Sequence, residues 1–106
     1  MTKTIVMSFN EAAIVRGILD QILPPGISVF VFGSRAGGTP KPWSDLDLAF
    51  ECETKLPPRL FSELAEAFDE SALAWKVDLL DRSTASETFG KIVDATKIPL
   101  DLGSDA

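Results

Sequence analysis

The chain has 106 residues, of which 45% are hydrophobic, and its 16 acidic and 10 basic residues give a net charge of −6. This length and apolar content predict a single globular domain over residues 1–106 rather than a disordered chain. The acidic balance disfavours direct nucleic-acid binding, and no segment is long enough to span a membrane. One cysteine and no histidine exclude an internal disulfide and Ser–His–Asp chemistry, and the lack of a signal sequence favours the cytoplasm.

The first half of the chain predicts one helix and two strands. Ser8-x-x-Glu11 is a capping-box pattern, and apolar residues then recur at helical spacing until Pro24-Pro25-Gly26 ends the helix. The apolar run Ile27–Phe32 is typical of a strand that is buried on both faces. A loop rich in glycine and proline, residues 33–44, leads to a second strand over Asp45–Cys52.

The second half predicts two further helices and a third strand. Pro57-Pro58 opens the second helix, and Ala74–Leu80 forms the third strand. Thr84-x-x-Glu87 caps a third helix, whose inward residues we expect to be Phe89, Ile92 and Val93. Pro99–Leu102 is either a short edge strand or irregular. This order predicts an α/β (α+β) domain with a small mixed β-sheet and helices packed on one face.

The motif with the clearest chemistry is Gly33-Ser34, followed after ten residues by Asp45-Leu46-Asp47. Alternate side chains of a strand share a face, so Asp45 and Asp47 point the same way and repel each other. A divalent cation removes that repulsion, and carboxylate oxygens suit Mg²⁺, which binds one or two carboxylates together with substrate phosphates. A glycine turn lets backbone amides approach a phosphate closely. The motif therefore indicates nucleotide chemistry.

The third strand carries another carboxylate on a polar face. Lys76 and Asp78 alternate to one side of an otherwise apolar strand, where an unpaired charge is costly. The charge of Asp78 therefore needs an explanation, and a salt bridge to Lys76 or to a partner in the N-terminal turn would be a structural one. Asp81, at the end of the strand, competes with Asp78 for a functional role, although a solvated turn carboxylate needs no special role.

The segment from the first helix to about Asp81 resembles the minimal nucleotidyltransferase (MNT) domain of the polymerase β-like superfamily. The signature of that family is Gly-Ser, about ten residues and Asp-x-Asp, with a third carboxylate in a context such as x-V-D-L. Gly33-Ser34, Asp45-Leu46-Asp47 and Lys76-Val77-Asp78-Leu79 match it without a gap. The chain departs from the family at Gly37, where a basic residue is common.

The resemblance implies a catalytic and metal-binding triad of Asp45, Asp47 and Asp78. It implies Mg²⁺, expected as two ions, with ATP as the nucleotide substrate, and Asp78 would also help to take the proton of the acceptor hydroxyl. Gly33 and Ser34 would hold the phosphates. Arg35 would reach the triphosphate, with an exposed structural arginine as the equal alternative. Trp43 is expected to pack against the sheet edge rather than to stack on a base or partner.

About 25 residues follow the third strand, too few for the helical domain that completes the site in larger members of the superfamily. The chain resembles the antitoxin of HEPN–MNT toxin–antitoxin pairs, which implies AMP transfer to a tyrosine of a helical HEPN toxin. A non-catalytic antitoxin that acts by binding and a small-molecule (antibiotic) adenylyltransferase are the alternatives, and a homo-oligomer stays open. Late apolar residues could cover the core or contact a partner, namely Phe89, Ile92, Ile98 and Leu100.

Overall fold

The computed structural model describes residues 4–100. Within them the chain forms three α-helices and four β-strands, in the order α1 (Phe9–Ile22), β1 (Ser28–Phe32), β2 (Leu46–Glu51), α2 (Pro58–Asp69), β3 (Val77–Asp81), α3 (Glu87–Thr96) and β4 (Ile98–Pro99). Short 3₁₀ turns follow β1 and β3. None of the helices in residues 4–100 has the length and apolar character needed to cross a membrane. The predicted continuation of the last strand to Leu102 lies outside the described residues.

Side-chain caps set where two of the helices begin. The Ser8 Oγ accepts from the Glu11 amide at 3.1 Å and the Glu11 carboxylate accepts from the Ser8 amide at 2.8 Å, so the capping box of α1 is confirmed. The predicted cap of α3 at Thr84 is wrong, because the Thr84 hydroxyl donates to the Asp81 carbonyl in the preceding turn. Ser86 caps α3 instead and accepts from the Phe89 amide.

The four strands form one mixed sheet in the order β3-β2-β1-β4. Strand β1 pairs antiparallel with both β2 and β4, whereas β2 and β3 are parallel and are connected through α2. The register places Phe32 opposite Asp47 and Asp47 beside Asp78. The sheet thus brings the glycine turn after β1 and the carboxylates of β2 and β3 to the same end.

The main core lies between the sheet and the pair α1 and α2, as the predicted fold class requires. It contains fully buried residues from the helices and the strands, including Val15, Leu19, Val31, Leu48 and Leu64. Helix α3 differs from the prediction of one covered face, because its buried Val93 packs with Phe32 and Ala49 in a separate cluster. These two strand residues alternate with Val31 and Leu48, so α3 lies on the opposite face of the sheet. The α+β class with a small mixed sheet is confirmed.

Candidate active site

A tight turn at the end of β1 forms one side of the site. Gly33 has φ +78°, in the region that favours glycine, and it begins the 3₁₀ turn Gly33–Arg35. Its carbonyl accepts from the Ala36 amide at 3.0 Å, and the Ser34 carbonyl accepts from the Gly38 amide at 3.1 Å. A Cβ atom at Gly33 would collide with the Asp47 carboxylate and lie 3.3 Å from its Cγ. Glycine is therefore needed both for the backbone angle and for the space beside the acid.

The carboxylates stand next to this turn. Asp47 on β2 is half-buried, and Asp78 lies beside it in the parallel register of β3. The pKa of Asp47 is raised from 3.8 to about 6, mainly by burial and then by the negative charges of Asp78 and Asp45 and a hydrogen bond with Asp78. Asp45 is exposed and immediately precedes β2. The structure thus brings the three predicted carboxylates into electrostatic contact.

The donor set fits a divalent cation that also binds phosphate. Among residues 4–100, no salt bridge to a lysine or arginine neutralises Asp45, Asp47 or Asp78. In the same residues, no three acidic, cysteine or histidine side chains are close enough to enclose an ion by themselves. Mg²⁺ usually takes only one or two carboxylates from a protein and completes its shell with water and substrate phosphates. The pair Asp47 and Asp78, with Asp45 close by, suits that mode of binding.

The competitor Asp81 has a structural role away from the cluster. It is 8% exposed, and its carboxylate accepts from the Leu56 amide at 3.0 Å and from the Ser83 amide at 2.9 Å. Burial acts to raise the pKa of Asp81, but the hydrogen bonds from Ser83 and Leu56 outweigh it and the pKa is lowered. Asp81 therefore caps the turn after β3, and the expectation of a solvated carboxylate there is wrong.

Arg35 does not face the carboxylates. Its side chain is 4% exposed and lies 4.5 Å from the centre of the Trp75 ring. The guanidinium donates to four backbone carbonyls: Nε to Ser44 at 3.0 Å, Nη1 to Val6 at 2.8 Å and Nη2 to Pro42 and Lys41 at 3.3 and 3.5 Å. The predicted contact between Arg35 and the triphosphate is thus not supported, because these donors are already used. Arg35 instead fixes the loop that precedes Asp45.

Replacing Arg35 by lysine is expected to destabilise the fold by about 3 kcal/mol, since a lysine cannot satisfy several carbonyls in a plane and some would stay buried without a donor. Urea unfolding measures the effect, with the exposed Arg59→Lys in α2 as the matched control. Unchanged stability combined with weaker ATP binding would instead assign Arg35 to the phosphates.

Two further residues singled out in the sequence lie on the surface of the described chain. Lys76 is exposed and forms no salt bridge with Asp78, so a salt bridge to Lys76 does not explain Asp78. The Trp43 ring is 68% exposed, with the Lys41 ammonium 5.8 Å from its centre. The prediction that Trp43 packs against the sheet edge is therefore wrong.

A cleft of about 530 Å³ connects the glycine turn and the carboxylates with α3. Gly33, Asp47 and Asp78 line one end, and Phe89 and Ile92 line the other. These two apolar residues were expected inside the core, but they are 40% and 55% exposed. Their spacing of three residues did indicate a shared helix face. Which face of α3 packs against the sheet depends on tertiary packing, and it is the face of Val93 that does so.

The raised pKa of Asp47 leads to a pH-dependent stability. Between pH 3.8 and about 6 the folded chain binds a proton that the unfolded chain releases, so this contribution is complete below pH 3.8 and is lost as the pH rises through 6. We expect Asp47→Asn to be more stable than the wild type at pH 7.5, by about 1 kcal/mol after allowance for solvent screening, and to lose this advantage near pH 4. Urea unfolding at both pH values measures it, with the exposed Asp20→Asn as control. A variant that is less stable at pH 7.5 would contradict the prediction.

The fold and the site together define a class of protein. A mixed sheet that places a glycine turn against carboxylates of two adjacent strands, which form no salt bridge to a base within residues 4–100, suits metal-assisted transfer of a phosphate-containing group. Residues 13–101 match the model of the nucleotidyltransferase domain family, and the chain therefore belongs to that family. It is a nucleotidyltransferase.

Similar proteins agree with this assignment. The chain is 49% identical over 84 residues to the probable protein adenylyltransferase MntA of Haemophilus influenzae, covering 79% of this chain and 73% of that protein. A crystal structure of a toxin–antitoxin with AMP-PNP has 28% identity and a TM-score of 0.69, over 85% of this chain and 72% of the other. A mutant of the MntA–HpeT toxin–antitoxin has 28% identity and a TM-score of 0.67, over 91% and 73%.

Proposed function

We propose that the chain transfers AMP from ATP to a hydroxyl group of a partner protein, as the Mg²⁺-dependent antitoxin of a HEPN toxin in the cytoplasm. The observation that carries the chemistry is the pair Asp47 and Asp78 beside the Gly33 turn, which no salt bridge neutralises in the described part of the chain. The similarity to a probable protein adenylyltransferase and to two toxin–antitoxin structures supports a protein acceptor and a toxin partner.

In this proposal the turn and the first two carboxylates position the nucleotide. Backbone amides near Gly33 and the exposed Ser34 bind phosphate oxygens, because no side chain obstructs the approach at the glycine. Asp45, Asp47 and Asp78 hold Mg²⁺, for which we propose two ions. When bound, Mg²⁺ neutralises charge on the phosphates and on the pyrophosphate leaving group.

Asp78 is the residue that we assign to the acceptor. It is exposed on the edge strand of the sheet, where an incoming hydroxyl group has access. Its carboxylate accepts the hydroxyl proton while the oxygen attacks the α-phosphorus, a new O–P bond forms and the bond to pyrophosphate breaks. The partner then carries AMP, and the proton passes to water.

We propose tyrosine as the acceptor. A phenol has a pKa of about 10, far below that of an aliphatic alcohol, so a carboxylate takes its proton more readily. Replacement of the modified tyrosine of the partner by phenylalanine should therefore prevent labelling.

The experiment that tests the proposal uses two forms of labelled ATP with Mg²⁺ and the partner encoded beside the chain. Label at the α-phosphate should appear on the partner, whereas label at the γ-phosphate should not, because AMP is the transferred group. The double variant Asp45→Ala/Asp47→Ala should give no labelling, and the matched double variant Asp20→Ala/Asp69→Ala, at exposed positions in α1 and α2, should label normally.

Four results would count against the proposal. Transfer of γ-label would indicate a kinase, and unchanged labelling by Asp45→Ala/Asp47→Ala would remove the site assignment. Full suppression of toxicity by an Asp47→Ala chain would show a non-catalytic antitoxin that acts by binding. Drug-dependent release of pyrophosphate by the chain alone would show a small-molecule acceptor.

A further inference from the structure

One end of the active-site cleft is an apolar surface that phosphate transfer does not require. The polar end contains Gly33, Asp47 and Asp78, and the cleft continues without interruption to α3. We call the far end the apolar wall, formed by Phe32, Leu80, Phe89, Ile92 and Thr96. A ligand that fills the cleft must therefore be anionic or metal-binding at one end and apolar at the other.

Helix α3 contributes three residues of the apolar wall as a continuous stripe. Phe89, Ile92 and Thr96 are spaced by three and four residues and so lie on one side of the helix. The alternate side of the helix carries the buried Gly90 and Val93. Exposure of 40% at Phe89 and 55% at Ile92 means that the fold leaves both side chains open beside the carboxylates.

The wall is held in place before any ligand binds. Arg82 forms a two-fold hydrogen-bonded ion pair with Asp94 at 2.8 and 3.1 Å, and Lys97 bridges Asp94 to Glu51. A Cβ at Gly90 would lie 2.7–2.8 Å from the Arg82 guanidinium, so the glycine lets this arginine lie against α3. These contacts attach the C-terminal half of α3 to strand β2 and to the turn after β3.

The ring of Phe89 packs against another aromatic ring of the wall. It meets Phe32 edge to face, with ring centres 5.9 Å apart and an interplanar angle of 79°. Phe32 is itself buried and directly precedes Gly33 in the chain. The aromatic surface therefore lies at the same strand end as the glycine turn. Because it is already ordered, a ligand can contact it without the entropic cost of ordering it on binding.

We propose that the apolar wall binds the nucleobase of the nucleoside triphosphate, with Phe89 as its main contact. This inference rests on the proposed function, which places the phosphates at Gly33 and the carboxylates. A nucleoside triphosphate has the required anionic end and flat apolar end. The alternative occupant, the phenol ring of an acceptor tyrosine, would fill only a small part of a cleft of about 530 Å³.

Recognition by the wall depends on contact rather than on hydrogen bonds. The one hydroxyl among its side chains belongs to Thr96, and it donates to the Ile92 carbonyl of its own helix at 3.2 Å. Stacking of a base on an aromatic side chain strengthens binding by roughly five- to 150-fold. Removal of an aromatic side chain from the wall should therefore weaken the binding of a ligand that has a base and leave the binding of a polyphosphate without a base unchanged.

The experiment compares two ligands by calorimetry in the presence of Mg²⁺: AMP-PNP, which has a base, and inorganic tripolyphosphate, which has none. Phe89→Ala should weaken AMP-PNP binding about tenfold and leave tripolyphosphate binding within about twofold. Phe89→Trp, which keeps a flat ring, should restore AMP-PNP affinity. Phe9→Ala is the matched control, because Phe9 is 83% exposed on α1 and does not line the cleft.

The outcomes separate this inference from the proposed function. Equal weakening of both ligands by Phe89→Ala, or no change in either, would overturn the nucleobase assignment, as would an effect confined to the KM for the partner protein. Should Phe89→Ala fail to fold, Ile92→Ala, at a more exposed position of the same stripe, should weaken AMP-PNP alone by about threefold, and no selective loss would refute the inference. A wild-type chain that binds neither ligand would contradict the proposed function itself.

Discussion

Replacing Asp47 by asparagine is expected to lower the rate of AMP transfer by about 1000-fold or more. Asp47 is the central member of the carboxylate cluster, next to Gly33 and in register with Asp78. Asparagine keeps the shape of the side chain but removes the negative charge that holds the metal in the proposed function, a loss of several kcal/mol in the transition state. About 4 kcal/mol corresponds to 1000-fold in rate. Single-turnover transfer of α-labelled AMP to the partner measures the change.

Asp69→Asn, at an exposed position in α2, is the control for Asp47→Asn and should transfer AMP at the wild-type rate. The two variants also differ in a way that a damaged fold would not produce. Since the pKa of Asp47 is raised to about 6 in the folded chain, its replacement should make the protein more stable at neutral pH while it removes activity. If Asp47→Asn kept a tenth of the wild-type rate of AMP transfer, Asp47 would be excluded as a metal ligand.

Replacing Gly33 by alanine is expected to reduce both stability and transfer. Alanine at φ +78° costs about 1–2 kcal/mol from backbone strain alone, and its Cβ would collide with the Asp47 carboxylate. Either the turn or the carboxylate must move, and both hold the nucleotide in the proposed function. We expect a loss of about 2–3 kcal/mol in the free energy of unfolding and a fall of at least 100-fold in transfer.

Gly17 provides a matched control for Gly33 in the same chain. It lies inside α1, and nothing is within 4 Å of a Cβ placed there. Gly17→Ala should therefore stabilise the protein by about 0.5–1 kcal/mol and leave transfer unchanged. Wild-type activity in Gly33→Ala would show that the close approach between the turn and Asp47 has no part in catalysis.

Much of the fold follows from local signals in the sequence. The capping box at Ser8 and Glu11 needs only residues of one helical turn, and the strands around Val31 and Leu48 follow from short apolar runs bounded by turns. The prediction of the α3 cap was wrong because Thr84 matches the capping box with Glu87, whereas Ser86, the actual cap, has Phe89 at the position of the acidic residue. The choice between them depends on Asp81, whose carboxylate and carbonyl bind the Arg82–Thr84 turn.

Parts of the site could not be predicted because they depend on which residues meet across the fold. The sequence offset between Gly33 and Asp47 was enough to predict a nucleotide site. The proximity of Asp47 to Asp78 follows from the register between β2 and β3, which the sequence does not specify. No sequence pattern indicated that Arg35 is buried, since its carbonyl partners come from its own loop and from Val6, 29 residues earlier in the chain. The exposure of Trp43 likewise depends on how Arg35 fixes the loop.

The position of β3 at the edge of the sheet has a consequence for how the site opens. Strand β3 is paired with β2 on one side, whereas β2 is held on both. Edge strands open more easily than central ones, so local fraying would remove Asp78 while Asp47 stays in place. If the roles in the proposed function hold, nucleotide binding and acceptor activation would therefore differ in their resistance to heat and denaturant. A chain whose edge strand had frayed would still bind the phosphates but would no longer activate the acceptor.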